Sequence, residues 1–456
     1  MLPLPYCAID FGTSNSAIAL PTESGVRLVA LEADQRTMPT AVFYAVEGLA
    51  AHELPQRHYG RAAVAAYVEG IEGRLMRSMK SILGSTLAEQ ATDVGAGKSV
   101  RYLDVVSGYL RHLKALAERD AQVANSRATP GASSEIASAN PPTARPGRFV
   151  PLTRVILGRP VFFVDDDPQR DARAQDVLAQ AARDVGFREV LFQYEPIAAA
   201  LDYETTINTE QLVLVADIGG GTSDFSLVRV GPQRRAKLDR RGDILANHGV
   251  HSAGTDFDRH IELARILPHC GYLGHGPNGR EVPSKVYFDL ATWHLINTVY
   301  VPGRVAELRQ MKGFYNDLLM HQRLLTVVTE QLGHALIARA EAAKIEVAEQ
   351  GLAHLDLSLI EPGLAATLNE AEAVQAMDAD LQRIVCAADQ TLRQAGLAHD
   401  QIDVLYFTGG STGFTPLTTR IAARFPNAAV RRGDRFASVA QGLGVHARRV
   451  FAGALD

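Results

Sequence analysis

The sequence predicts an α/β chain built from two related halves, and three observations carry that reading. Segments with strand and helix patterning alternate along most of the chain. Two similar turns, Asp10-Phe-Gly-Thr-Ser-Asn-Ser and Asp217-Ile-Gly-Gly-Gly-Thr-Ser-Asp, lie 207 residues apart near the starts of the two halves. Self-similarity at that distance points to a duplicated lobe instead of a short repeat. A third glycine turn, Gly409-Gly410-Ser411-Thr412, follows Leu405-Tyr-Phe-Thr and precedes a helix opened by Pro416 and running to Phe425.

Along the chain, Tyr6 to Ile9 and Ser16 to Leu20 are expected as short strands around the first turn. The run Val106, Leu110, Leu113, Leu116 has helical period. From Ala124 to Arg148 the composition shifts to Ala, Ser and Pro, with Ile136 the one large apolar residue. Such a stretch buries too little surface to offset its ordering entropy. It is expected as a mobile surface insertion at about 124–148, because a strand (Thr153 to Gly158) follows at once. Asp165, Asp166 and Asp167 precede Pro168. Carboxylates before an N1 proline favour a helix start, here from Pro168 to Val185, over a metal cluster. Val190 to Gln193 reads as a strand and Pro196 lies at the start of the next helix. Leu212 to Ala216 and Phe225 to Val230 flank the second turn. The expected lobes are 1–203 and 204–456.

The bulk numbers exclude several classes. The 456 residues are 46% hydrophobic and 21% charged, with a formal net charge of −5. That is ordinary globular composition, with no global field favouring nucleic acid. Cys7, Cys270 and Cys386 stand far apart, which argues against a disulfide framework or a C-x-x-C centre and fits a reducing cytoplasm. No apolar stretch approaches the ~18 residues of a membrane span, and no basic n-region marks a secretory signal. A cytoplasmic protein with no membrane or nucleic-acid partner is expected. Gln233 to Arg241 is locally basic, but without interleaved aromatics it reads as a solvated hairpin end. His248 and His251 have metal-like spacing without a third ligand nearby, and read as a turn before a helix.

A strand ending in Asp, then Gly, then Thr has a physical logic for phosphate. Glycine lets backbone N–H groups approach an anion, and successive N–H groups form an anion-binding concavity. Hydroxyls add neutral donors. The carboxylate cannot face phosphate directly; it is better placed to hold Mg²⁺ through water. Asp10 and Asp217 are the candidates. The third turn aims helix N-terminal amides at phosphate or ribose.

These residues resemble the superfamily of actin, the sugar kinases and the seventy-kilodalton heat-shock chaperones, the last most closely. Ala8 to Leu20 looks like the first phosphate motif of those chaperones and Val213 to Val228 like the second. Phe192 to Glu204 and Ala437 to Ala447 are similar to the two inter-lobe helices. His251 to Ile261 resembles the motif after phosphate two, and Tyr406 to Leu417 the adenosine motif. Met79 to Gly84 resembles the segment carrying the catalytic lysine. The wording of Phe192 to Pro196, Gly231 to Arg234 and Leu238 to Arg240 is similar to the stand-alone, YegD-like bacterial members.

The resemblance implies an actin-like ATPase fold of ribonuclease H-like duplicated lobes, with ATP or ADP and Mg²⁺ in a central cleft. Thr13 and Thr222 would contact the β- and γ-phosphates, with Gly12, Ser14, Asn15, Gly219, Gly220 and Gly221 lining the phosphate turns. Asp10 and Asp217 would hold the Mg²⁺ shell. Glu195 and Asp224 would orient water, and Lys80 would hold that water or stabilise charge on the transferred group. Gly409, Gly410 and Ser411 would lie along ribose and α-phosphate, with Gly254 in the motif after phosphate two. Glu341 and Lys344, three apart on the pattern Leu332, Leu336, Ala340, Ala343, Val347, match the adenosine-side pair. Without the resemblance, Lys80 reads as a solvated lysine, and Glu341 with Lys344 as an exposed ion pair worth only ~0.3–0.5 kcal/mol.

The sequence also departs from those chaperones. Ile345 stands where an adenine-stacking arginine is usual, and Ala348 where a hydroxyl is usual, so base selectivity is open. Nine residues follow Ala447, so no peptide-binding β-sandwich is expected. A slow ATPase of chaperone type that closes its lobes with nucleotide state is the leading expectation, its protein client or co-chaperone unidentified. A sugar-type kinase and a nucleotide-gated scaffold or filament protein of the same superfamily are the rivals.

Overall fold

The computed structural model describes residues 6–22, 25–50, 52–85, 88, 90–128, 151–164, 167–434 and 437–452. The expected insertion at 124–148 falls almost wholly outside these residues, as do Asp165 and Asp166. The chain divides into two compact units: 1–215 with 226–245 and 436–456, and 216–225 with 246–435.

The first unit opens on β1 (Tyr6–Phe11) and β2 (Asn15–Pro21), an antiparallel pair around the first turn, followed by β3 (Val26–Leu28) and β4 (Thr37–Pro39), which both pair with β2. A small antiparallel sheet comes next, with β5 (Ala41–Ala45) between β6 (Gln56–Tyr59) and β7 (Gly73–Arg77), covered by α1 (Gly60–Val68). The hairpin β8 (Ala91–Gly95) and β9 (Lys98–Arg101) leads into the 27-residue α2 (Tyr102–Ala128). Val106, Leu110 and Leu113 of α2 are fully buried, as their spacing predicts. The chain then returns to the first sheet. β10 (Arg154–Arg159) runs parallel to β1, and β11 (Glu189–Tyr194) parallel to β10. The sheet is therefore mixed, in the order β11-β10-β1-β2-β3. Cys7, Ile9, Val155 and Leu157, two apart along each strand, share one face and one core, and the alternate residues Ala8 and Ile156 are buried too, so the central strands are covered on both faces.

Between β10 and β11 lies α3 (Pro168–Asp184), and after β11 comes α4 (Glu195–Glu204). Asp167 caps α3 by accepting the Arg170 N–H at 3.0 Å, with Pro168 at the first helical position. Part of the Asp165–Asp167 run thus does the capping work its position predicts.

β12 (Gln211–Ile218) and β13 (Ser223–Val230) flank the second turn, and α5 (Pro232–Arg235) leads to β14 (Ile244–Val250). Here one expectation is corrected. Arg240 is not part of a solvated hairpin end: it is 2% exposed. Its Nη1 and Nη2 donate to Glu204 Oε2 and Oε1 at 3.0 and 2.9 Å, and its Nε pairs with Asp243. Glu204 also accepts the Gly231 N–H at 2.9 Å, and Arg234 bridges Asp243 and Glu210. The loop folds back so that acidic groups distant in sequence meet the basic run. Removing one partner of such a buried network leaves an uncompensated charge and costs about 3–5 kcal/mol.

After the second turn and most of β14, the second unit continues with α6 (Gly254–Ile261), which runs on into a π-helical turn at Glu262–Ile266. The short α7 (Lys285–Leu290), α8 (Ile296–Val299) and α9 (Pro302–Gln310) follow, then α10 (Leu318–Thr329) and α11 (Gly333–Gln350). The hairpin β15 (Leu352–Asp356) and β16 (Ala365–Asn369) leads to α12 (Glu370–Ala395), opened by a reciprocal Asn369–Glu372 cap. β17 (Val404–Thr408), α13 (Thr415–Ala422) and β18 (Ala429–Arg432) complete it. The second large sheet has the order β14-β13-β12-β17-β18. α13 ends three residues short of Phe425, whose buried ring packs with His399.

Finally α14 (Ser438–Ala452) returns to the first unit and packs on α4, β1, β2 and β10. A Cβ at Gly442 would collide with the Ala198 carbonyl oxygen, so the two helices touch backbone to backbone. Among the described residues no helix is long and apolar enough to cross a membrane. The three cysteines are free.

Candidate functional site

In the first unit the turn between β1 and β2 sets Asp10 at the end of a buried strand, partly exposed, with Gly12, Thr13 and Ser14 in the turn and Asn15 exposed at the start of β2. The turn is tight. A Cβ on Gly12 would strike the Asn15 carbonyl oxygen. The Ser14 carbonyl accepts the Thr40 N–H at 2.9 Å, and the Ser16 and Thr40 hydroxyls share a 2.8 Å hydrogen bond.

Lys80 and Glu195, 115 residues apart, meet in this unit. Met79 is buried in the main core and Ser78 adopts a left-handed backbone (φ 53°), which turns the following residues into a short 3-10 helix. Lys80 is 8% exposed and its Nζ pairs with Glu195 Oε1, on the first residue of α4. The solvated-lysine alternative is therefore set aside. Gly158 makes this possible: a Cβ there would come within 3.2 Å of Glu195 Cγ and Oε1 and 3.1 Å of Leu443.

In the second unit two segments distant in sequence converge on the Gly219–Thr222 turn. Gly219 donates its N–H to the Thr222 carbonyl at 2.9 Å, closing the turn. The Gly219 carbonyl accepts from Ser411 Oγ at 2.7 Å and from the Gly254 N–H at 3.3 Å. The Gly220 carbonyl accepts from the N–H and the hydroxyl of Thr255, both at 2.8 Å. A trans peptide is planar, with its C=O and N–H opposed. Tying down these two carbonyls therefore turns the Gly220 and Gly221 N–H groups the other way. Successive amides presented together are the elements of an anion cradle. A Cβ on Gly221 would meet no protein atom within 4 Å.

Gly409 follows β17 with φ +88°, a backbone only glycine adopts freely. A side chain there would collide with the Ile218 carbonyl and lie 2.7 Å from Asp217 Oδ1. The third glycine turn thus presses directly on the strand end carrying Asp217. Gly410 and Ser411 begin a one-turn 3-10 helix whose Thr412 is buried.

Lys344 on α11 does not pair with Glu341, which is exposed. Lys344 Nζ reaches Asp258 Oδ1 at 2.5 Å and the Gly254 carbonyl at 3.2 Å. Burial pushes the Asp258 carboxyl up to about 6, with Lys344 acting in the opposite direction. Glu262, one turn along, is fully buried and also pushed up, by burial and by Asp258. Ile345 is half exposed. Asp224 is exposed, and Gly249 leaves room for its carboxylate.

Asp258 was missed by sequence reasoning. Its signal was present: it sits one turn after Gly254 between Phe257 and Ile261, both fully buried. An acid on an apolar helix face calls for a buried partner. Among the described residues no three His, Cys, Asp or Glu side chains gather as a metal site on their own. Mg²⁺ shared with phosphate asks for only one or two carboxylates; Asp10 and Asp217 each stand partly exposed near a strand end of their own unit.

The α/β architecture with mixed sheets is consistent with the actin-like ATPase domain that binds nucleotide in Hsp70 chaperones. A family model described as Hsp70 protein matches residues 6–263, more than half of the chain, and the chain belongs to the Hsp70 family. Among curated proteins it is similar to the chloroplastic heat shock 70 kDa protein 6 of Arabidopsis thaliana, 25% identical over 92% of this chain and 49% of that protein. It is also similar to the stromal 70 kDa heat shock-related protein of Pisum sativum, 24% identical over 92% of this chain and 50% of that protein. A chaperone protein HscA homolog of Aromatoleum aromaticum is 27% identical over 56% of this chain and 36% of its own length. The chain spans about half the length of the first two relatives.

Proposed function

We propose that this chain binds ATP or ADP with Mg²⁺, hydrolyses ATP slowly and changes conformation with nucleotide state, as a chaperone-type ATPase. The observation that carries the reading is the convergence of Gly254, Thr255 and Ser411 on the Gly219–Thr222 turn, with Gly409 pressed against the strand end before it, which prepares two consecutive amides for an anion. Membership of the Hsp70 family supports it from a separate direction.

In this reading Thr13 and Thr222 donate their hydroxyls to the β- and γ-phosphates, beside the amides of Gly12, Ser14, Asn15 and Gly219 to Gly221. The open space beside Gly221 suits a phosphate oxygen, because a methyl group there would intrude on it. Asp10 and Asp217 accept hydrogen bonds from the hydration shell of Mg²⁺, which when bound offsets the phosphate charge. Gly409 and Gly410 bring backbone close to the sugar, and Lys344 and Glu341 lie on the nucleoside side. Glu195, fixed by Lys80 and Gly158, accepts a hydrogen bond from the attacking water, with Asp224 as a second acceptor. The Lys80 ammonium supplies positive charge close to the transferred group.

Calorimetric titration of ATP, ADP and GTP, with and without Mg²⁺, tests the binding. ATP and ADP are expected to bind, more weakly without Mg²⁺; no heat from either would end the proposal. Lys80→Ala is expected to keep nucleotide binding and lose phosphate release by a factor of about 10²–10³. Unchanged turnover in that variant would remove Lys80 from the mechanism.

A further inference from the structure

A cavity of about 430 Å³ opens at the start of α2, lined by Arg57 of β6, Ser99 and Arg101 of β9, and Asp104, Ser107 and Arg111 of α2. None of these residues belongs to the nucleotide reading. The spacing of Asp104, Ser107 and Arg111 puts all three on one side of the helix. Arg101 holds Asp104 in a two-pronged clamp, Nε to Oδ2 at 2.9 Å and Nη2 to Oδ1 at 2.8 Å. The carboxylate in the lining is thereby matched, and the guanidinium groups of Arg57 and Arg111 remain as positive charge around the same space. Arg57 lies over the Tyr44 ring, 5.6 Å from its centroid, which limits its freedom. The first turn of a 27-residue helix adds its own partial positive charge.

A second, independent feature marks the cavity as a place for a ligand. Ser107 is 6% exposed, and its Oγ is buried with no hydrogen-bond partner. A buried hydroxyl left this way is unusual in a folded protein.

We propose that this cavity binds a small phosphate-bearing anion, a phosphate monoester or diphosphate, between Arg57, Arg111 and the Ser107 hydroxyl. Guanidinium forks match phosphate oxygens in pairs, and the Ser107 hydroxyl donates to a third oxygen. A tetrahedral group accepts from several directions at once, whereas a planar carboxylate is served by one fork. The volume lies within the range of about 300–1,000 Å³ usual for small-molecule sites.

The experiment is a calorimetric titration of inorganic pyrophosphate into the full chain at low ionic strength. Saturable binding is expected. It should weaken at least tenfold in the double variant Arg57→Gln/Arg111→Gln, a few-fold in Ser107→Ala, and steadily with added salt. Thr222→Ala, which alters the proposed nucleotide contacts, should leave it intact. Binding lost in Thr222→Ala but kept in the double variant would assign pyrophosphate to the nucleotide turns and overturn the proposal. Failure to bind at all would overturn it too, as would tighter binding of citrate. Inorganic phosphate and a sugar phosphate, run alongside, separate a free-anion site from one for a phosphorylated metabolite. Protection of the wild-type chain from phenylglyoxal gives a reading that needs no variant to fold. Pyrophosphate should shield Arg57 and Arg111, and equal modification with and without it would sink the idea.

Discussion

The two Asp-Gly-Thr turns share a motif but are held by different means. The turn between β1 and β2 closes on its own residues, Gly12 folding against Asn15, with one tie from Thr40, 26 residues on, to Ser14. The turn between β12 and β13 is held by residues 35 and 192 positions further on, Thr255 and Ser411. Of its two extra glycines, Gly220 carries one of the carbonyls those residues grip. A single motif can thus be rigid because its own chain closes it, or because the rest of a unit closes around it.

The contrast can be broken at three glycines. The largest effect is expected at Gly409→Val, which must leave a φ of +88° and displace the Ile218 carbonyl. Strain and overpacking together predict a loss of roughly 3–5 kcal/mol, measured by urea unfolding, with nucleotide heat abolished. A loss below about 1 kcal/mol would mean that the second turn does not depend on the third motif. Gly12→Ala forces the turn apart against the Asn15 carbonyl, and about 1–3 kcal/mol of destabilisation is expected in the same assay. The smallest stability effect, within about 0.5 kcal/mol, is expected for Gly221→Ala, whose methyl group meets no protein atom. That variant sharpens the comparison most, since its cost should appear in ATP affinity alone. A thermal shift from Gly221→Ala with unaltered ATP binding would reverse the assignment of the cradle.

Both hairpins, the capped start of α3 and the buried face of α11 were legible because they rest on local signals: alternation, an acid before Pro168, and apolar residues three and four apart. The partners were not. Lys80 has no local feature that marks it as buried, and only the resemblance singled it out; its carboxylate lies 115 residues away. The same holds for Lys344, whose nearest acid in sequence, Glu341, is not the one it meets. Arg240 misled for a related reason. A basic run looks solvated until Glu204, 36 residues earlier, is folded against it. Period and composition report which face is buried, but ion-pair partners are chosen by topology.

The return of α14 to β1 has a consequence for synthesis. Strands β1 and β2 leave the ribosome long before the helix that packs on them, which is made from Ser438 onward, after the whole of 246–435. The intervening unit can assemble while the earlier one still shows an unfinished apolar face beside α4. Nascent chains stalled before Ser438 should therefore attract holding chaperones through that face, and release them once α14 emerges.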